Sequence, residues 1–252
     1  MADDIPRNKL SSDSLEEASR DRSKFSGHGD AIGAAGTSTE GEIRSAELAR
    51  TGDFKIVNPL PGGFGEIRVG AAWDNVSAET KGFFAHLLHK FTERKVDLDL
   101  GCLYELKNGE RGAIQAFGDM FGDYNRAPWI KLSEDARKGR RLEDGEFILI
   151  NGGKWPEIKR MLIYVYIYGE SVAWDQVRPR IGITIPGEEQ ITAFPGLHDS
   201  TLSVAAIAGL ENSNNGIKVI NYTEYFPGHA EMDRAFGYGI QWTEGSKQEK
   251  RV

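Results

Sequence analysis

Met161-Leu162-Ile163-Tyr164-Val165-Tyr166-Ile167-Tyr168 contains no charged residue and is apolar at odd and even positions alike. Side chains alternate across a β-strand, so such a run presents an apolar surface on both pleat faces. A strand of that kind needs cover on both sides and belongs near the middle of a sheet in a layered fold. Tyr164, Tyr166 and Tyr168 share one face. Aromatic stripes in sheets usually pack against the neighbouring layer, so core packing is expected rather than a ligand platform.

The rest of the chain fits that placement. Short apolar runs bounded by Gly, Pro, Asn and Asp predict strands near 54–57, 66–73, 96–106, 112–117, 129–132, 146–151, 160–169, 180–185, 203–211, 217–226 and 236–242. Lys107-Asn108-Gly109, Ile185-Pro186-Gly187 and Asn212 to Gly216 read as turns between them. Thirty glycines and an aromatic content of 10% agree with turn-rich β structure. The expected fold is all-β, a two-sheet β-sandwich of about ten strands with an inserted helix. That helix is expected over Ser77 to Arg94. There Phe83, Phe84, Leu87, Leu88 and Phe91 recur at helical spacing after a capping Asn75 or Ser77. A shorter helical turn is expected after Pro156.

Residues 1–52 read differently. They are rich in Ser, Asp, Glu, Arg and Gly, with Phe25 as their only aromatic. Such a segment buries too little apolar surface to offset the entropy of ordering it. The expected organisation is a flexible polar tail over 1–52, a sandwich domain over 53–246 and a C-terminal tail over 247–252.

Charge and cysteine content narrow the function. There are 31 Lys+Arg against 38 Asp+Glu, a net charge of −7. That balance argues against a nucleic-acid partner, which normally demands a basic face. No run approaches the roughly 20 apolar residues of a membrane-spanning helix. The charged first ten residues lack the apolar core of a signal peptide. One cysteine, Cys102, excludes an intrachain disulfide and a multi-cysteine metal site. A cytoplasmic location is expected.

The strand Val96 to Tyr104 carries the most informative polar residues. Val96, Leu98, Leu100, Cys102 and Tyr104 fall on one face, and Asp97 and Asp99 on the other. Two like charges a few Å apart are unfavourable without a cation between them, and aspartate forms strands poorly. A bound cation is one reason for the pair, and a solvated edge is the other. Further acids lie downstream: Asp119 and Asp123 in a Gly-rich loop, then Glu134-Asp135 and Glu143-Asp144-Gly145-Glu146. Loops of Asp, Glu and Gly supply the oxygens that calcium takes, though the EF-hand spacing is absent. Arg137, Lys138, Arg140 and Arg141 lie in the same loop and offer neutralisation without a metal.

The run Val96-Asp97-Leu98-Asp99-Leu100-Gly101-Cys102-Leu103-Tyr104-Glu105-Leu106 resembles the Asp-Leu-Asp strand of the tellurium-resistance TerD-like domains. Ser133-Glu134-Asp135-Ala136-Arg137-Lys138-Gly139 is similar to a loop of that family. Asp144-Gly145-Glu146 before Phe147-Ile148-Leu149-Ile150 resembles its acidic-loop-then-strand element. The Ile158-Lys159-Arg160-Met161 strand entry and the stretch Glu231 to Gly239 also fit, and together with Cys102 they look most like the TerA branch. The resemblance spans about residues 54–246. It implies a non-enzymatic, Ca²⁺-binding β-sandwich of the stress response, acting through calcium-dependent association with other tellurium-resistance-type proteins. Peripheral membrane association is a further implied partner class. The family's metal ligands map onto Asp97, Asp99, Asp135, Asp144 and Glu146. The chain departs from the family at Ala136 and Gly145, where family loops carry a further polar or acidic residue. One or two ions are implied.

Enzyme constellations are thin. Gly62-Gly63-Phe64-Gly65 lacks the Lys-Ser/Thr of a phosphate-binding loop, and no Gly-x-Ser-x-Gly elbow is present. Cys102 sits on an apolar strand face, as a buried inert thiol does. His86 and His89 stand three apart with no evident third zinc ligand. His28, His198 and His229 are isolated. Two readings stand beside the leading one: a Ca²⁺-dependent phospholipid or carbohydrate module, and a hydrolase using paired carboxylates.

Overall fold

The computed structural model describes residues 46–73, 76–77, 93–94, 98–116, 118, 120–133, 146–167, 174–196 and 202–242. All of them lie in the second of two units into which the chain divides, Ile43–Val252. The strands are β1 (Ala46–Leu48), β2 (Phe54–Val57), β3 (Glu66–Ala72), β4 (Val76–Ser77), β5 (Glu93–Arg94), β6 (Leu98–Leu106), β7 (Arg111–Gln115) and β8 (Gly122–Asp123). They continue with β9 (Ile130–Leu132), β10 (Phe147–Asn151), β11 (Ile158–Ile167), β12 (Arg180–Thr184), β13 (Ile191–Ala193), β14 (Val204–Ser213) and β15 (Gly216–Phe226). Two short helices, α1 (Trp174–Val177) and α2 (His229–Phe236), and a 3-10 turn at Gly152–Glu157 complete the described elements.

Two sheets form the sandwich. One has seven strands in the order β1-β13-β12-β3-β10-β9-β8, and the other six in the order β2-β15-β14-β11-β6-β7. Every pairing is antiparallel except β1 with β13. The two-sheet β-sandwich expected from the strand pattern is therefore the fold. Short β1, β8 and β13, none of them expected from the sequence, bring the strand count above ten.

β11 is the central strand its composition predicts, with β6 on one side and β14 on the other. Its Met161, Ile163, Val165 and Ile167 enter the core between the sheets, with Leu98, Leu100 and Cys102 of β6. Its Leu162, Tyr164 and Tyr166 point outward into a second apolar cluster with Leu103, Met232 and Tyr238. That cluster is closed by α2 and the residues after it. Fully burying such a side chain stabilises by roughly 1.5–3 kcal/mol, so the outer cluster is a substantial second core. Tyr164 lies flat enough to pass over its cross-strand neighbour Gly101: a Cβ there would sit 2.4 Å from the tyrosine ring.

Three expectations change. The strand expected over 236–242 is instead the end of α2 and its exit. Met232 and Phe236 are four apart and face the sheet, and Gly237 ends the helix with φ +66°, a left-handed cap that glycine adopts without strain. The helix expected over Ser77 to Arg94 does not include its ends, because Val76–Ser77 pairs with Glu93–Arg94 as a two-stranded ribbon; residues 78–92 lie outside the described residues. The helical turn expected after Pro156 is a 3-10 turn that contains Pro156. In addition, Ala46–Leu48, placed by sequence in the tail, forms β1, and Leu48 is buried in the core. No helix among the described residues is long and apolar enough to cross a membrane.

Candidate functional site

Five acids were expected to gather. Asp97, Asp135 and Asp144 lie outside the described residues, as do Asp119, the basic residues of the 134–145 loop, and His86 and His89. Asp99 and Glu146 are described, and both are buried, with relative exposures of 1% and 2%. Carboxylates are rarely buried unless paired, hydrogen-bonded or metal-bound, because desolvating the charge costs several kcal/mol.

Topology brings Glu146 to the main chain next to Asp99. β7 pairs with β6 only from Gly101 onward, where Gly101 opposes Gln115. The Leu100 N–H therefore lies beyond the end of that ladder. Glu146 Oε2 accepts it at 2.8 Å. The main chain of Glu146 belongs to the other sheet, where its carbonyl accepts the Ala71 N–H at 3.2 Å. Glu146 thus ties the two sheets together at the peptide that follows Asp99. The ends of the acidic loop are fastened beside it. Ser133 N–H donates to the Phe147 carbonyl at 2.8 Å, and Phe147 N–H donates to Ser133 Oγ at 3.0 Å.

Asp99 lies on the outward face of β6, opposite Tyr166 of β11. Tyr164 on the same strand donates its hydroxyl to Gln115 Oε1 at 2.5 Å. Asp123, the described acid of the Gly-rich loop, serves a local turn. It accepts the N–H groups of Asn125 and Arg126 and pairs with the Arg126 guanidinium at 2.8 Å. Those bonds hold its carboxyl below the usual range. Among the described residues no three His, Cys, Asp or Glu side chains converge as a metal site.

Cys102 is fully buried on the inner face, and burial pushes its thiol far up. The Gly62-Gly63 pair forms a turn closed by Gly63 N–H to Leu60 carbonyl at 2.8 Å.

Sequence reasoning passed over a second buried acid on β6. Glu105 is paired with Arg160 at 2.6 Å, Lys159 at 2.9 Å and Arg111 at 3.1 Å. Burial alone would raise its pKa, but hydrogen bonds from Lys159, Arg160 and Arg111 more than offset that and hold it down to about 2. Arg160 also donates to the Phe236 and Gly237 carbonyls at 2.9 and 3.0 Å and stacks 4.2 Å above the Tyr238 ring. The network therefore pins the end of α2 to the six-stranded sheet. The signal was present: Glu105 shares the outward face with Asp99, and Lys159-Arg160 open the neighbouring strand.

No family model matches the chain. Over 184 residues it is 38% identical to the tellurium resistance protein TerA of Alcaligenes sp., a match covering 73% of this chain and 53% of that protein. The chain thus spans about half the length of that relative. Among solved structures, a homologue of the telluride resistance protein TerD from Streptomyces coelicolor A3(2) matches with a TM-score of 0.44 and 13% identity. That match covers 71% of this chain and all of the other, a similarity too low to carry an argument. The motifs on β6 and β10 and the TerA match agree, and together they support a TerD-like tellurium-resistance family for the region they cover.

Proposed function

We propose that this is a non-enzymatic stress-response protein of the tellurium-resistance type that binds Ca²⁺ through Asp97, Asp99, Asp135, Asp144 and Glu146. It acts through calcium-dependent association with other tellurium-resistance-type proteins in the cytoplasm. Peripheral attachment to a membrane through the same ion is the second partner class. One observation carries the reading. Glu146, 46 residues from Leu100 in sequence, places a buried carboxylate on the peptide joining Asp99 to Leu100. The remaining three acids are sequence neighbours of fixed points. Asp97 directly precedes β6, Asp135 is two residues from Ser133, and Asp144 is two from Glu146.

The donor chemistry fits calcium. Carboxylate oxygens are hard ligands, Ca²⁺ takes six to eight of them, and it tolerates irregular geometry. The ion would supply the positive charge that lets buried acids cluster, and would turn an acidic loop into a surface that bridges anions. Asp99 and Glu146 would hold it from the two sheets, and Asp97, Asp135 and Asp144 would supply further oxygens. Isothermal calorimetry of the full chain with Ca²⁺, Mg²⁺ and Zn²⁺ tests this. Saturable heat with Ca²⁺, weaker with Mg²⁺, is expected. Heat with Zn²⁺ alone, or with none of the three, would overturn it.

A further inference from the structure

The outer face of the six-stranded sheet is covered by one continuous segment, α2 and residues 237–242. Besides the Arg111 guanidinium, which donates to the Tyr238 carbonyl at 2.9 Å, three fastenings hold it. Arg160 grips the Phe236 and Gly237 carbonyls at the end of the helix. Asp233 binds the exit: its carboxylate accepts the Gly239 and Ile240 N–H groups, each at 2.7 Å, and the Trp242 indole N–H at 2.9 Å. The third is His229, the first residue of α2. Its ring packs edge-on against Tyr164 and Tyr166, with centroids 5.3 and 5.0 Å away, and lies against Trp242 at 5.2 Å.

The first two fastenings satisfy every charge they use. The third does not. His229 Nε2 is buried, and no hydrogen-bond acceptor reaches it. A neutral ring can leave that nitrogen unprotonated at modest cost. An imidazolium must place an N–H there, with no acceptor and little water. The charge would also lie in the first turn of a helix, where the backbone dipole disfavours cations.

From these contacts we propose that the segment His229–Trp242 is a proton-sensitive cover, and that protonation of His229 lifts it from the six-stranded sheet and exposes Tyr164 and Tyr166. Tyr164 and Tyr166 are the titratable groups facing the imidazole from β11. From β6, Asp99 is placed opposite Tyr166, and from the helix itself Glu231 and Asp233 are nearest in sequence. Trp242, from the exit, is neutral. Burial holds the imidazole of the closed cover down to about 4. A lifted cover returns it to the ordinary value near 6.5. The lifted state therefore binds the proton more tightly, and closure weakens as the pH falls from about 6.5 toward about 4. Between pH 7 and pH 5 those two values shift the equilibrium toward the lifted state by about 20-fold.

The test is NMR on the full chain. The indole N–H of Trp242 reports the cover, and the buried indoles of Trp155 and Trp174 report the sandwich. In the wild type the Trp242 signal should change between pH 6.5 and 4 while the other two persist. In His229→Phe, which keeps a ring in the cage and cannot be protonated, that change should move to lower pH. His229→Gln serves if the phenylalanine variant does not fold. The ring protons of His229 give an independent readout in the wild type. An apparent pKa near 6.5 with the Trp242 signal unmoved would overturn the proposal. So would the same Trp242 profile in wild type and variant, which would assign the transition to carboxylates.

Discussion

The side-chain amide of Asn221, on β15 of the six-stranded sheet, donates to the Leu48 carbonyl of β1 at 2.7 Å. The same NH₂ group donates to the Phe194 carbonyl at 2.9 Å. Asn221 is fully buried, and its main chain joins the turn before β2: Asn221 N–H to Asp53 carbonyl at 2.9 Å, and Gly52 N–H to Asn221 carbonyl at 2.8 Å. One asparagine therefore fastens β1, which runs parallel to its partner β13, to the opposite sheet. Asn221→Ala removes both side-chain hydrogen bonds; the Leu48 carbonyl keeps the Phe194 N–H at 3.2 Å, and the Phe194 carbonyl loses its donor, at roughly 1–3 kcal/mol. A total loss of about 2–4 kcal/mol is expected by urea denaturation. Deleting residues 1–50 should likewise lower the melting temperature by about 5–15 °C, since it removes β1. A shift of only a degree or two would show that β1 contributes nothing.

The legibility of the chain followed the physics of each segment. β2 was readable to the residue, because Phe54, Ile56 and Val57 recur within four residues bounded by turn residues on both sides. β11 announced cover on both faces, and only the nature of the outer cover stayed hidden. That cover is α2, whose signals, Met232 and Phe236 four apart and then Gly237, are spread over a charged segment that also alternates like a strand. β1 was not legible. Three residues carry too little periodicity, and its stability comes from a partner, Asn221, 173 residues away. At the candidate site the strand alternation of Asp97 and Asp99 was visible, whereas the approach of Glu146 to Leu100 depends on where β7 stops. The Glu105 network was missed because its three cations come from two different strands.

Glu105 should make stability depend on acid. Its carboxyl is held at about 2, against an ordinary value of 4.5. A depressed carboxylate stabilises the fold above the unfolded value and loses that contribution as the pH falls through the folded one. The full contribution, on the order of 3 kcal/mol, is therefore present above about pH 4.5 and fades toward pH 2. Glu105→Gln should cost about 2–4 kcal/mol at pH 7, and the gap to wild type should narrow between pH 4.5 and 2. Denaturant melts at three pH values check this. A gap that stays constant or widens in acid would show that Glu105 acts through packing alone.

Cys102 should behave as a core methyl-sized group. It is fully buried and its thiol is pushed far up by burial, so the thiolate needed for reaction is scarce. Labelling by a thiol reagent should be slow in the native protein and fast in denaturant. Rapid native labelling would place Cys102 in a mobile or open site and reopen a redox role.

The central claim is that acids from both sheets hold calcium, and melting curves of the wild type and Asp99→Asn test it most directly. Each protein is heated with chelator, with Ca²⁺ and with Mg²⁺. A ligand bound only by the folded state stabilises it by mass action, by about 2.7 kcal/mol at 100 times Kd. Ca²⁺ should raise the wild-type melting temperature clearly. Mg²⁺ should do much less, because it demands compact octahedral geometry and gives up water reluctantly. Asp99→Asn should blunt the calcium response even where it stabilises the metal-free protein by removing a buried charge. Equal responses to both cations in both proteins would contradict the calcium site.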